Sequence, residues 1–115
     1  MAHVVLDAGG GWKVPDPDTR LASCRKHLDE IDQQIVALLN QRARIVAEVG
    51  TIKQDAHLPV AVPAREQQIL NQIVQLGGAG PLPPDGLRRI YQTVLQEMRT
   101  WEERSAQESG DKTVE

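Results

Sequence analysis

The sequence predicts an all-α protein with three helices per protomer, on three observations. Apolar residues recur at helical spacing from about residue 20 to residue 105, no run alternates with the period of two that a half-buried strand requires, and two breaks rich in Pro and Gly, HLPVAVP (57–63) and GGAGPLPPDG (77–86), cut the run into three. A chain of 115 residues with 40% hydrophobic and 25% charged residues has room for one small globular domain. Residues 1–19, with a Gly triplet and two prolines, read as a flexible N-terminal tail. Residues 20–105 read as the helical domain, and the polar 106–115 as a flexible C-terminal tail.

The first helix is expected to begin near Asp18 or Thr19, either of which can cap it, and to run to about Asp55, because no proline intervenes. Some 35 residues at ~1.5 Å each span roughly 50 Å, whereas a compact domain of about 100 residues has a radius of gyration near 13 Å. One copy of the chain cannot cover such a helix. Its seam agrees: Leu21, Cys24, Leu28, Ile31, Ile35, Leu38, Arg42, Ile45, Val49 and Ile52 alternate steps of three and four without a slip. This stripe calls for a partner helix, most economically a second copy in a two-fold homodimer. Gly50, costly inside a helix, points to a close backbone approach.

The second helix, about 63–76, has Pro63 in its first turn and presents Glu66, Ile69, Leu70, Ile73 and Val74 on one side. The third, about 84–105, begins at Pro84, with Leu82 and Leu87 spaced for a hydrophobic staple. Its inward stripe reads Leu87, Ile90/Tyr91, Val94, Met98, Trp101 and Glu102.

Ionisable residues on apolar stripes carry the functional signal, because an unpaired buried charge is too costly to place there without a partner. Arg42 sits in the seam, and Lys53 follows eleven residues later, only about 20° away around the axis and about 16 Å along it. The two can line one elongated pocket. Arg25 precedes Arg42 by seventeen residues, an offset of about 260°, so it can reach that pocket only from the other protomer. Arg65 and Glu66 stand at the head of the second helix, and Glu102 lies one turn beyond Met98. Taken singly, each has a plainer reading: a seam arginine as a register device or as the ion-pair partner of Glu66, Arg65 and Glu66 as first-turn surface charges, Lys53 as a solvated side chain.

Composition removes other classes. Phe is absent and Trp12, Tyr91 and Trp101 are the only aromatics, which, with a net charge of −3, speaks against a nucleic-acid surface. Cys24 is the single cysteine, and His3, His27 and His57 are scattered, so no metal-ligand spacing and no disulfide scaffold arises. No cofactor is expected. The chain shows no signal-like N-terminus and no long apolar run, so a cytoplasmic protein without membrane contact is expected. Two arginines and a lysine without a nucleophile–base pair suit a clamp for a compact dicarboxylate, with catalysis by fixed conformation and charge stabilisation.

The run R-K-H-L-D-E-I-D-Q-Q-I-V-A-L-L-N-Q-R-A-R-I-V-A-E-V-G-T-I-K (Arg25 to Lys53), followed by P-A-R-E (Pro63 to Glu66), closely resembles the all-helical, type II class of chorismate mutases, over about residues 20–105. The resemblance implies an intertwined homodimer of three-helix protomers, with two active sites that each borrow one arginine from the other long helix. It implies that Arg25 and Arg42 hold the substrate carboxylates. Lys53 would contact a carboxylate and the ether oxygen, and Glu66 the ring hydroxyl, with Arg65 beside it. Three positions depart from the family pattern: Val62 replaces an Asp cap, Met98 a small hydroxyl residue that helps bind a carboxylate, and Glu102 the usual Gln that donates to the ether oxygen. The implied reaction is the isomerisation of chorismate to prephenate in the shikimate pathway of aromatic amino acid biosynthesis, with Lys53 and a protonated Glu102 stabilising the ether oxygen. Isochorismate pyruvate-lyases and 4-amino-4-deoxychorismate mutases share the fold and much of the clamp, and an inactive helical dimerisation or regulatory module is the non-enzymatic alternative.

Overall fold

A computed structural model describes the backbone of residues 5–6, 12–13 and 16–112, and the side-chain surroundings of residues 16–108. The elements in order are β1 (Val5–Leu6), β2 (Trp12–Lys13), α1 (Pro17–Asp55), α2 (Pro63–Gly77) and α3 (Pro84–Lys112). The chain divides into two compact units, Met1–Asn40 and Gln41–Glu115, and α1 contributes residues to both.

In the first unit β1 and β2 pair antiparallel, Val5 opposite Lys13 and Leu6 opposite Trp12. Two residues per strand are too few to show a period of two, which is why the sequence offers no strand there. The rest of the tail read over 1–19 lies outside the described residues up to Val14 and Pro15. Helix α1 starts earlier than expected, and its cap is Asp16 rather than Asp18 or Thr19: the Thr19 backbone N–H donates to Asp16 Oδ1 at 2.7 Å. With Asp16 at the cap, Pro17 takes the first helical position, where its missing N–H costs nothing. The bond from Thr19 holds the Asp16 carboxyl below its ordinary value. The cap's contribution is therefore present at neutral pH and is lost as the pH falls through that lowered value. The seam residues Leu21, Leu28, Ile31, Ile35 and Leu38 are all exposed.

In the second unit the end of α1 joins α2 and α3. Helix α1 stops in a Schellman motif, with Leu58 N–H donating to Lys53 O at 2.7 Å and His57 N–H to Gln54 O at 3.3 Å. His57 holds the left-handed position, φ 56°, that glycine usually takes. Val62 precedes α2 without a side-chain cap, and its carbonyl accepts from Arg65 and Glu66 N–H instead. Helix α3 continues to Lys112, past the boundary at 105 read from the sequence, since no proline interrupts Ala106–Gln107–Glu108.

Among the described residues, the buried apolar side chains are Leu70 of α2 and Leu95 and Met98 of α3. Leu95 was not on the inward stripe expected for α3, whereas Ile90, which was, is 55% exposed. Helix α1 turns Ala43, Val46, Ala47, Gly50 and Lys53 away from solvent, a stripe displaced by about 100° from the seam positions Ile45, Val49 and Ile52, which remain exposed. The helix thus carries two apolar faces, and its own chain covers one. Trp101, expected in the core, is part-buried and donates its indole N–H to Ala43 O at 2.7 Å, tying α3 to α1.

Candidate functional site

A pocket of about 240 Å³ opens among the three helices of the second unit. Its walls are aliphatic, with Val46 and Val49 from α1, Val60 and Val62 from the connection, Ile69 from α2 and Leu95 and Met98 from α3. Into this apolar lining project Arg42, Lys53, Arg65, Arg99, Glu66 and Glu102. Five of the six residues expected at the site, Arg42, Lys53, Arg65, Glu66 and Glu102, therefore share one cavity. The sixth, Arg25, belongs to the first unit and is exposed on α1.

Lys53 and Glu102 form the inner part of the site. Glu102 is 5% exposed, the one buried charged residue among those described, and its Oε1 and Oε2 lie 3.2 and 3.5 Å from Lys53 Nζ. Lys53 also donates to Val60 O at 2.8 Å. An ammonium group has three donors, so these contacts fix its position and tie the connection after α1 to the bottom of the pocket. Gly50 makes this arrangement possible: a Cβ there would stand 3.0 Å from Glu102 Cγ. The close approach inferred from the helix-breaking residue is an approach to the Glu102 side chain.

The outer residues are held more loosely. Arg42 places its guanidinium carbon 5.9 Å from the centre of the Tyr91 ring, a cation–π contact that orients the group while leaving its N–H donors free. Arg65 donates to Gln68 Oε1 at 2.9 Å on the exposed side of α2. Glu66 faces Arg99 Nε at 3.4 Å. Arg99 and the Val60 carbonyl were not anticipated. Arg99 lies four residues after Leu95, on the same helix face, and that spacing was the available signal. A backbone carbonyl in a connecting segment leaves none.

The pocket thus carries four cations and two carboxylates, a formal surplus of two positive charges in an aliphatic enclosure where electrostatic interactions are stronger than in water. No hydroxyl, thiol or imidazole lines it. The equipment suits binding a small dianion, restricting its conformation and stabilising negative charge on an oxygen near Lys53 and Glu102. Among the described residues no helix is long and apolar enough to cross a membrane.

Comparison with known proteins places this site in a family context. The family model for chorismate mutase type II matches residues 24–103. The bifunctional chorismate mutase/prephenate dehydratase of Aquifex aeolicus is 38% identical over 78 residues, which are 65% of this chain and 22% of that protein. The chorismate mutase of Methanocaldococcus jannaschii is 27% identical over 93 residues, 81% of this chain and 94% of that one. Among solved structures, the chorismate mutase of Helicobacter pylori in complex with prephenate superposes with a TM-score of 0.72 at 29% identity, covering 78% of this chain and 97% of the other. The form II structure of the Thermus thermophilus chorismate mutase gives 0.71 at 29% identity, over 74% and 96%. The chain spans about a fifth of the length of the bifunctional proteins it matches.

Proposed function

Since the chain belongs to the chorismate mutase type II family, we propose that it catalyses the intramolecular rearrangement of chorismate to prephenate, an isomerase step of aromatic amino acid biosynthesis. The observation that carries the proposal is the Lys53–Glu102 pair at the inner end of a cation-lined apolar pocket. Arg42 and Arg25 of the partner subunit hold the two carboxylates, with Arg65 adding to the field. Glu66 accepts from the ring hydroxyl. The enolpyruvyl group is thereby folded over the ring, and the barrier falls because the reactive geometry is already assembled. As the ether bond breaks, its oxygen gains negative charge, which Lys53 and the protonated form of Glu102 stabilise by donating to it. The prephenate bound to the related Helicobacter pylori protein supports this substrate class. The lone, exposed Cys24 suits a reducing, cytoplasmic setting.

The test is incubation with chorismate, isochorismate and 4-amino-4-deoxychorismate in parallel, with the products identified. Prephenate from chorismate is expected. Pyruvate release from isochorismate, with chorismate left intact, would replace the mutase reading with a lyase.

The site as proposed needs two copies of the chain, arranged as an intertwined homodimer. Supporting this are the exposed seam on both sides of Arg42 and the small number of buried side chains among the described residues. Sedimentation equilibrium is expected to give a dimer at micromolar concentration. A folded monomer under those conditions would exclude the shared site.

A further inference from the structure

The mechanism above leaves one lining cation without a role, Arg99 of α3. Its Nε stands 3.4 Å from Glu66 Oε1, with the two side chains 38% and 31% exposed. An ion pair so open to water adds little to folding stability, so stability does not account for an arginine at this position. The closest approach to Glu66 is at Nε, and the two terminal nitrogens of a guanidinium carry four further N–H groups in the fork geometry that matches a carboxylate. The neighbouring lining residues Leu95 and Met98 of α3 are apolar and buried and offer an anion nothing.

We infer that Arg99 is a substrate ligand, receiving one carboxylate end-on through its two terminal nitrogens while Glu66 steadies it through Nε. The inference rests on the dicarboxylate reading of the same pocket. Because a carboxylate keeps its charge throughout the rearrangement, the contact is equally strong in ground and transition states and acts on KM rather than on kcat.

The experiment compares the unmodified protein with Arg99→Ala and Arg99→Lys, measuring turnover of chorismate and, separately, equilibrium binding of prephenate. For Arg99→Ala, KM for chorismate and Kd for prephenate are expected to rise together by about tenfold or more, with kcat within about threefold and Tm close to that of the unmodified protein. Arg99→Lys should recover part of the loss, and added guanidinium ion should restore affinity to Arg99→Ala. An active unmodified protein whose Arg99→Ala variant keeps the original KM and Kd would overturn the inference and leave the mutase reading standing. An unmodified protein that neither converts chorismate nor binds prephenate would overturn both.

Discussion

Lys53→Ala is expected to lower kcat by about 10²–10³, the cost of removing one donor aimed at a developing oxyanion. The substitution has a second consequence. Glu102 is 5% exposed and Lys53 is its ion-pair partner, and stripping one member from a buried pair costs up to about 3–5 kcal/mol because the other charge is left unpaired. Domains of this size have only about 5–15 kcal/mol of stability in total, so loss of activity in Lys53→Ala alone would not separate chemistry from folding. The double variant Lys53→Met with Glu102→Gln does so, because neither partner then leaves a buried charge. Its Tm should return toward that of the unmodified protein, as measured by thermal unfolding, while kcat remains depressed. Recovery of both would remove Lys53 from the chemistry. The single variant Glu102→Gln completes the set. An amide donates a hydrogen bond at any pH, whereas a carboxyl donates only when protonated. Glu102→Gln therefore keeps a donor at position 102 and should retain kcat/KM within about tenfold of the unmodified protein, whereas Glu102→Leu, which has no donor, should lose about 10²–10³. Equal activity in the Gln and Leu variants would show that position 102 is not the donor.

At chorismate concentrations near the original KM, Arg25→Ala and Arg42→Ala should each be nearly inactive, yet a mixture of the two should regain activity. Both remove a guanidinium from the anion clamp, and a charge-assisted fork to a carboxylate is among the stronger polar contacts available. Their placement differs. Arg42 lines the pocket of its own chain beside Tyr91, while the helical offset of about 260° between the two arginines is the ground for proposing that Arg25 serves the site of the other subunit. A heterodimer of the two variants has one site with both arginines and one with neither. Random exchange of subunits makes half the dimers mixed, so about a quarter of the original activity is expected. Subunit exchange confirmed by mass spectrometry with no recovered turnover would sink the shared-site arrangement.

Much of the fold could be read along the chain because helices advertise themselves locally. The prolines at 63 and 84 and the break before each of α2 and α3 depend on backbone geometry that a few neighbouring residues control, and the structure places all three helices within a few residues of their expected bounds, apart from the extension of α3 to Lys112. The alignment of Arg42 with Lys53 is equally local, since eleven residues nearly close three turns of one helix. That is why the cationic line of the site could be found without a structure.

Angular position on one helix does not say which other element will meet it, and there the tertiary structure decides. Two stripes of α1 are apolar, and only the packing assigns Ala43, Val46, Ala47 and Gly50 to the chain's own core while leaving Ile45, Val49 and Ile52 exposed. Gly50 reads in sequence as a cost to the helix, and only the approach of Glu102 to within contact of its missing Cβ explains that cost. The partners of Lys53, Glu102 on α3 and the carbonyl of Val60, and the meeting of Arg99 with Glu66 join residues distant in the chain. Such contacts depend on how helices cross and on which side-chain conformations the crossing admits, a property of the packed ensemble that no single period contains.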